Sequence, residues 1–259
     1  RYDTYTEFVD PGECNPVISK GGTTTEFLHK NFTEDEYYDT VYVTANPHVD
    51  EHLEGKVHEL VSPWRTHWND THHTVMPDTM AKITAETAKQ FPKKRLISHF
   101  IQPHRPFIGP KGHTLETGSG IEGHRQVVLG EEPDWKGENP FNRAKRGEID
   151  ESVIREAYEE NMEIVLDSLE PLLSELEGRT VITADHGNML SDRFPPLPEN
   201  SYPHPGGIYL NDLVEVPWHV INPNETRTIV AESPQPKTSD SDKIKDDVIK
   251  DRLNDLGYV

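Results

Sequence analysis

The chain has 259 residues, with 46 Asp and Glu against 26 Lys and Arg and a formal net charge of −20. That length suits one sizeable α/β domain. The charge excludes a nucleic-acid-binding face, which phosphate would repel, and it is the balance expected of a protein adapted to high salt. One cysteine, Cys14, excludes an internal disulfide, and no apolar run is long enough for a membrane span in this chain. The chain begins at Arg1 rather than Met and shows no signal peptide, so the sequence leaves its compartment open between cytoplasm and cell exterior.

In chain order, a polar opening leads to Cys14-Asn15-Pro16, where the cysteine reads as structural. Ser19-Lys20-Gly21-Gly22-Thr23-Thr24-Thr25 then runs into an amphipathic helix over 25–31. A hydroxyl at a helix N-terminus lies in a positive field among amides with no intrahelical partner. That lowers the cost of an alkoxide and helps bind an anionic ester, although the same threonines also suit an N-cap. Residues 40–45 form a strand by their β-branched run, and Asn46 or His48 at its end can line a pocket or simply make the turn. Six histidines (48, 52, 58, 67, 72 and 73) follow with Trp64 and Trp68, none paired in a metal-ligand context, and 52–73 reads as a surface excursion.

Pro77 and Asp78 start a helix running to about Gln90, with Ala81, Ile83, Ala85 and Ala88 inward. Residues 95–101 form a strand with His99 in its core, followed by Gln102-Pro103-His104-Arg105-Pro106. His104 titrates near neutrality, so it can donate to an anion or protonate a leaving group, and Arg105 can clamp an anion. Residues 109–147, rich in Gly, Pro and charge, predict an irregular insertion over the pocket that shapes substrate choice. The clearest helix spans 149–177, with Ile154, Tyr158, Met162, Val165, Leu169, Leu172 and Leu176 on one stripe; Asp150 caps it and Pro171 predicts a kink or break.

Residues 180–184 predict a short buried strand ending at Asp185-His186-Gly187. A carboxylate and an imidazole at the carboxyl end of a parallel strand sit where α/β sheets bind ligands. Both can reach one hard or borderline metal ion, with the small Gly187 leaving room for it. His204 follows in a loop with Gly206 and Gly207, then a strand over 214–221 containing His219, a polar stretch over 223–242, and a terminal helix over 243–256. Helix, glycine and strand in repeated order predict a mostly parallel sheet with helices on both faces.

Thr183-Ala184-Asp185-His186-Gly187 resembles the metal-binding motif of the alkaline phosphatase superfamily, in particular its sulfatase and phosphoethanolamine-transferase branches. Gly22-Thr23-Thr24-Thr25 resembles the Gly-Thr-x-Thr around the threonine nucleophile of phosphoethanolamine transferases, which implies Thr23 as nucleophile and Thr24 as second choice. Cys14-Asn15-Pro16 is similar to the sulfatase Cys-x-Pro-Ser-Arg, but Val17 and Ile18 stand where Ser and Arg belong. The segment at His104 resembles the family's His-x-Pro strand end, His204 its later loop histidine, and Leu253-Asn254-Asp255-Leu256-Gly257-Tyr258 the close of many sulfatases. Arg1-Tyr2-Asp3 resembles an Arg-x-Asp that follows the family's first strand and its metal-binding carboxylate, which would place both upstream of Arg1.

The resemblance implies one domain over 1–259, lacking that first strand and carrying a substrate-loop insertion at 109–147. Its fold would be a three-layer α/β/α sandwich with a mostly parallel central sheet. Asp185, His186 and Thr23 would hold one divalent ion (Zn, Mn, Ca or Mg), with room in the scheme for a second. Thr23 would attack a small-molecule or glycan sulfate or phosphate ester, as hydrolase or phospho-group transferase, with His104 and His204 assisting. Two alternatives stand beside it. One is a two-metal phosphatase or phosphodiesterase with the second ion on His104 and His204. The other is a degenerate relative that binds an anionic glycan or a partner without turnover.

Overall fold

The computed structural model describes residues 14–115, 120–133, 138–190, 204, 206–222 and 224–234. The polar opening before Cys14 and the terminal helix expected over 243–256 lie outside the described residues. The strands are β1 (Cys14–Ile18), β2 (Tyr37–Thr44), β3 (Val57–Val61), β4 (Arg95–His99), β5 (Thr180–Thr183) and β6 (Glu215–Ile221). The helices are α1 (Thr24–Asn31), α2 (His48–Leu53), α3 (Pro63–Thr66), α4 (Pro77–Gln90), α5 (Gly120–Val128), α6 (Pro140–Lys145), α7 (Glu151–Glu175) and α8 (Asn211–Val214).

The fold is mixed α/β. A parallel sheet runs in the order β3-β2-β4, and an antiparallel sheet in the order β1-β6-β5. The middle strand of the parallel sheet, β2, is buried along Val41, Tyr42 and Val43, as expected where helices cover both faces. Alternation along the strand sorts its side chains. Tyr42 packs with Leu28 of α1 and Val49 and Leu53 of α2. Val43 packs on the other side with Trp64 of α3 and Met80 of α4. Leu172 of α7 closes against Ala81 and Ala85 of α4.

Several expectations give way. Residues 180–184 were expected to pair in parallel and to be buried. Instead β5 lies antiparallel to β6, from Thr180 opposite Ile221 to Thr183 opposite Trp218, and is only half-buried. The chain that leaves Asp185 returns through α8 directly into β6, so the neighbour of β5 is a strand running back beside it. The stretch 52–73 is no surface excursion, because it contains β3 and the fully buried Trp64. The insertion at 109–147 carries α5, α6 and a single 3-10 turn at Gly112–Thr114. Leu115, Phe141 and Ala144 from it pack on Ile154 and Ala157 of α7. α7 itself continues through Pro171 as one helix of 25 residues.

Among the described residues, β4 and β5 each have one paired neighbour, so each sheet ends in an open edge. Both edges line one cavity of about 1800 Å³, with Leu96 and Ile97 on one side and Val181 and Ile182 on the other.

Candidate active site

The mouths of β2, β4 and β5 converge where the chemistry gathers. Thr23, Thr24, His48, His99, His104, Arg105, Asp185, His186 and His204 all line the cavity. Thr23 and Thr24, at the start of α1, do not share a role. Thr23 is the N-cap, its hydroxyl accepting from the Glu26 amide at 3.2 Å. Thr24, the first helical residue, turns its hydroxyl to Asp185 and donates to Oδ2 at 2.6 Å. The same oxygen is 3.5 Å from His186 Nε2. The hydroxyl against the Asp-His pair is therefore that of Thr24, not of Thr23, whose oxygen is committed to its own helix.

The loop carrying Thr24 is held at both ends. Glu26 accepts from the Gly22 amide at 3.0 Å through one carboxylate oxygen and from the Gly207 amide at 2.6 Å through the other. It thus ties the threonine loop to the segment that carries His204. Those two backbone hydrogen bonds help hold the Glu26 carboxyl below its ordinary range. Ser19 Oγ donates to the Asp185 carbonyl.

Asp185 is half-buried at the end of β5. Burial alone would raise its pKa, but His186, His99 and the Thr24 hydroxyl outweigh that and leave it lowered. His186 donates from Nδ1 to the Gly187 carbonyl at 2.7 Å, because a carbonyl can only accept. Its Nε2 lone pair consequently faces Thr24 and Asp185. Gly187 serves a different purpose from the one expected. A Cβ there would lie 2.1 Å from the Asp212 carbonyl oxygen, and its amide donates to Leu213 at 2.7 Å. The missing side chain makes room for the backbone of α8, which turns the chain into β6.

His99, read from sequence as core, belongs to this site. Its Nε2 is 3.6 Å from Asp185 Oδ2, and its Nδ1 bonds the Tyr42 hydroxyl at 3.0 Å. Its pKa is lowered by burial. On the far side, His104 Nε2 and His204 Nε2 are 3.2 Å apart, and the rings of His204 and His186 are 4.7 Å apart. Both His104 and His204 are driven down by burial first, to about 3 and about 4, so both are neutral at neutral pH. His104 donates from Nδ1 to the Arg105 carbonyl at 2.6 Å. This segment is braced by Asn161, fully buried on α7. Its side-chain amide donates to the carbonyls of Pro103, His104 and Pro106 and its oxygen accepts from the Ile108 amide.

The donor set around Asp185 suits a divalent ion. The carboxylate is half-buried, and among the described residues no lysine or arginine pairs with it; the nitrogens beside it are His99 Nε2 and His186 Nε2, both at 3.6 Å. Asp185 Oδ2, His186 Nε2 and the Thr24 hydroxyl are a carboxylate, an imidazole and an oxygen donor of the kinds that hard or borderline metals take. Away from it, His48, Glu51 and His124 bring three ligand atoms within 4.8 Å of one another. Sequence reading could not join them, since His124 arrives from α5, in a stretch read as irregular loop. No family model matches the chain, and a search of curated proteins found no match.

Proposed function

We propose that the chain is a metal-dependent hydrolase or transferase of sulfate or phosphate esters, with Thr24 as its nucleophile. The observation that carries this reading is the Thr24 hydroxyl at the N-terminus of α1, 2.6 Å from Asp185 Oδ2 and 3.5 Å from His186 Nε2. The motif resemblance to the alkaline phosphatase superfamily points the same way. Asp185, His186 and Thr24 would hold a divalent ion, which when bound depresses the hydroxyl pKa and screens an anionic ester.

The Thr24 oxygen forms a bond to sulfur or phosphorus as the bond to the leaving oxygen breaks; the Thr24 proton passes to Asp185 Oδ2, to which it already donates, and the leaving oxygen takes a proton from solvent. Water or an acceptor alcohol then displaces Thr24 from the covalent ester. The first amides of α1 and the Arg105 guanidinium on the cavity wall receive the anionic oxygens. His104 is neutral and its Nδ1–H is committed to the Arg105 carbonyl, so it acts as a lone-pair donor rather than as the acid expected from sequence.

That last point favours a second reading, a two-metal phosphatase or phosphodiesterase. His204 Nε2 lies 3.2 Å from His104 Nε2, so both rings turn a nitrogen to the same point. Two ring nitrogens so placed can ligate one ion or share one proton, and loss or retention of a bound ion in His204→Asn separates the two readings. For the fold, a further strand seated between the open edges of β4 and β5 would join the two sheets into the three-layer α/β/α sandwich that the resemblance implies.

The test is a screen of aryl sulfates, aryl phosphates and phosphodiesters in molar salt, with Zn, Mn, Ca or Mg supplied. We expect turnover that chelation abolishes, metal restores and Asp185→Asn eliminates. Turnover indifferent to both would contradict the reading. Tight anion binding with no turnover of any ester would favour the non-catalytic relative.

A further inference from the structure

Behind His48 lies a cluster that the proposed chemistry does not use. α2 places His48 and Glu51 three residues apart, on one face of the helix. His124 of α5 stacks its ring on that of His48, with centroids 3.4 Å apart and planes 21° apart. His124 Nε2 is 3.6 Å from Glu51 Oε1, beyond hydrogen-bond length, and this buried nitrogen has no hydrogen-bond partner. A buried imidazole nitrogen aimed at a carboxylate without bonding it is an unmet demand for a ligand.

The cluster is also built in from behind. Asp50, between His48 and Glu51 on α2, accepts from Ser62 Oγ at 2.7 Å, Trp64 Nε1 at 3.0 Å and Arg65 Nε at 3.0 Å. Arg125, next to His124 on α5, reaches the Trp64 carbonyl at 3.4 Å and pairs with Glu122 at 3.3 Å. Both helices that supply the three side chains are thereby fastened to one buried residue, Trp64. Such outer bracing is what holds metal ligands in place.

We propose that His48, Glu51 and His124 form a metal site separate from Asp185 and His186, taking a borderline divalent ion of the Zn²⁺ class. Two imidazoles and one carboxylate favour zinc, cobalt, nickel or copper over magnesium or calcium. Tetrahedral coordination sets neighbouring ligand atoms about 3.4 Å apart. The three ligand atoms lie within 4.8 Å of one another, and the stacked His48 and His124 rings turn their nitrogens inward to close on one ion. Three protein ligands leave a fourth position for water or a substrate group. His48 also lines the cavity, so an ion here adds fixed positive charge to its wall, in a chain of net charge −20.

The experiment titrates the full chain with Co²⁺ in molar salt at neutral pH, following visible absorption and calorimetric stoichiometry. Wild type, Asp185→Asn, Glu51→Gln and His124→Asn are compared. We expect Asp185→Asn to keep one Co²⁺ with a visible nitrogen-and-oxygen ligand-field band. Glu51→Gln and His124→Asn should lose that ion, binding it at least about 100-fold more weakly, beyond the loss of an outer-shell partner. Glu51→Gln preserves side-chain shape and decides the matter if His124→Asn does not fold. Co²⁺ binding that disappears with Asp185→Asn, or that survives Glu51→Gln unchanged, overturns the proposal.

Discussion

Thr23 and Thr24 differ by one position and by everything chemical. The first closes a helix and the second touches Asp185. Thr23→Ala should cost about 1 kcal/mol of stability, the usual value of a lost N-cap hydroxyl, while turnover persists. Thr24→Ala removes a hydrogen bond to the Asp185 carboxylate, which should cost about 1–2 kcal/mol, and should reduce turnover by at least about a thousandfold. Denaturant midpoints and initial rates on the two variants read both effects, and the reverse pattern would return the role to Thr23. The sequence put Thr23 first and Thr24 second, and in the structure it is the Thr24 hydroxyl that meets Asp185. Which of three consecutive threonines caps a helix depends on where the helix begins, and that shifts by one or two residues with tertiary context. Asp185 and His186 were legible because they are adjacent in the chain. His99 was not, because its meeting with Asp185 joins two strands of different sheets that no spacing rule connects.

At the scale of elements, two supports decide whether the site assembles. Asn161 on α7 satisfies four backbone groups of the segment carrying His104 and Arg105. Asn161→Ala leaves those groups buried and unpaired, which should cost about 2–4 kcal/mol and lower kcat/KM with it. Equal kcat/KM in this variant would show that the loop needs no brace. Gly187→Ala drives a Cβ to 2.1 Å from the Asp212 carbonyl. With backbone as the obstacle, we expect about 3 kcal/mol of destabilisation, seen as a lower denaturant midpoint at unchanged slope. The long elements α4 and α7 and the strands β2 and β4 were visible from periodicity and β-branched runs. β3 was hidden, because His58 and Glu59 interrupt its apolar pattern. The antiparallel partner of β5 was hidden because pairing direction depends on how α8 returns the chain, which Gly187 makes possible.

At the scale of the molecule, the buried histidines set the response to acid. Burial lowers His48 and His104 to about 3 and His124 and His204 to about 4. An unfolded chain takes up those protons near pH 6.5, so the stability they confer is present above that value and is lost as pH falls from 6.5 towards 4. Glu51 works in the opposite sense, because burial raises it to about 7, and acidification through that value favours the folded chain. Four histidines outweigh one carboxyl. Near pH 5.5 each histidine contributes about 1 kcal/mol of destabilisation. The chelator-treated protein, held in molar salt to screen its net charge of −20, should therefore unfold at a lower denaturant concentration at pH 5.5 than at pH 7. An unchanged or higher midpoint at pH 5.5 would mean that these imidazoles are more hydrated than the structure places them. A bound ion reverses part of the trend, since it holds imidazoles unprotonated and protons must displace it.

The most direct test of the account is to identify the nucleophile by mass. The protein is incubated with an activated aryl sulfate or phosphate and a divalent ion, quenched in acid, digested and sequenced by mass spectrometry. A sulfo or phospho group is expected on the oxygen of Thr24, absent from Asp185→Asn. The same group on Thr23, or steady turnover with no modified threonine in the segment 23–25, would contradict it.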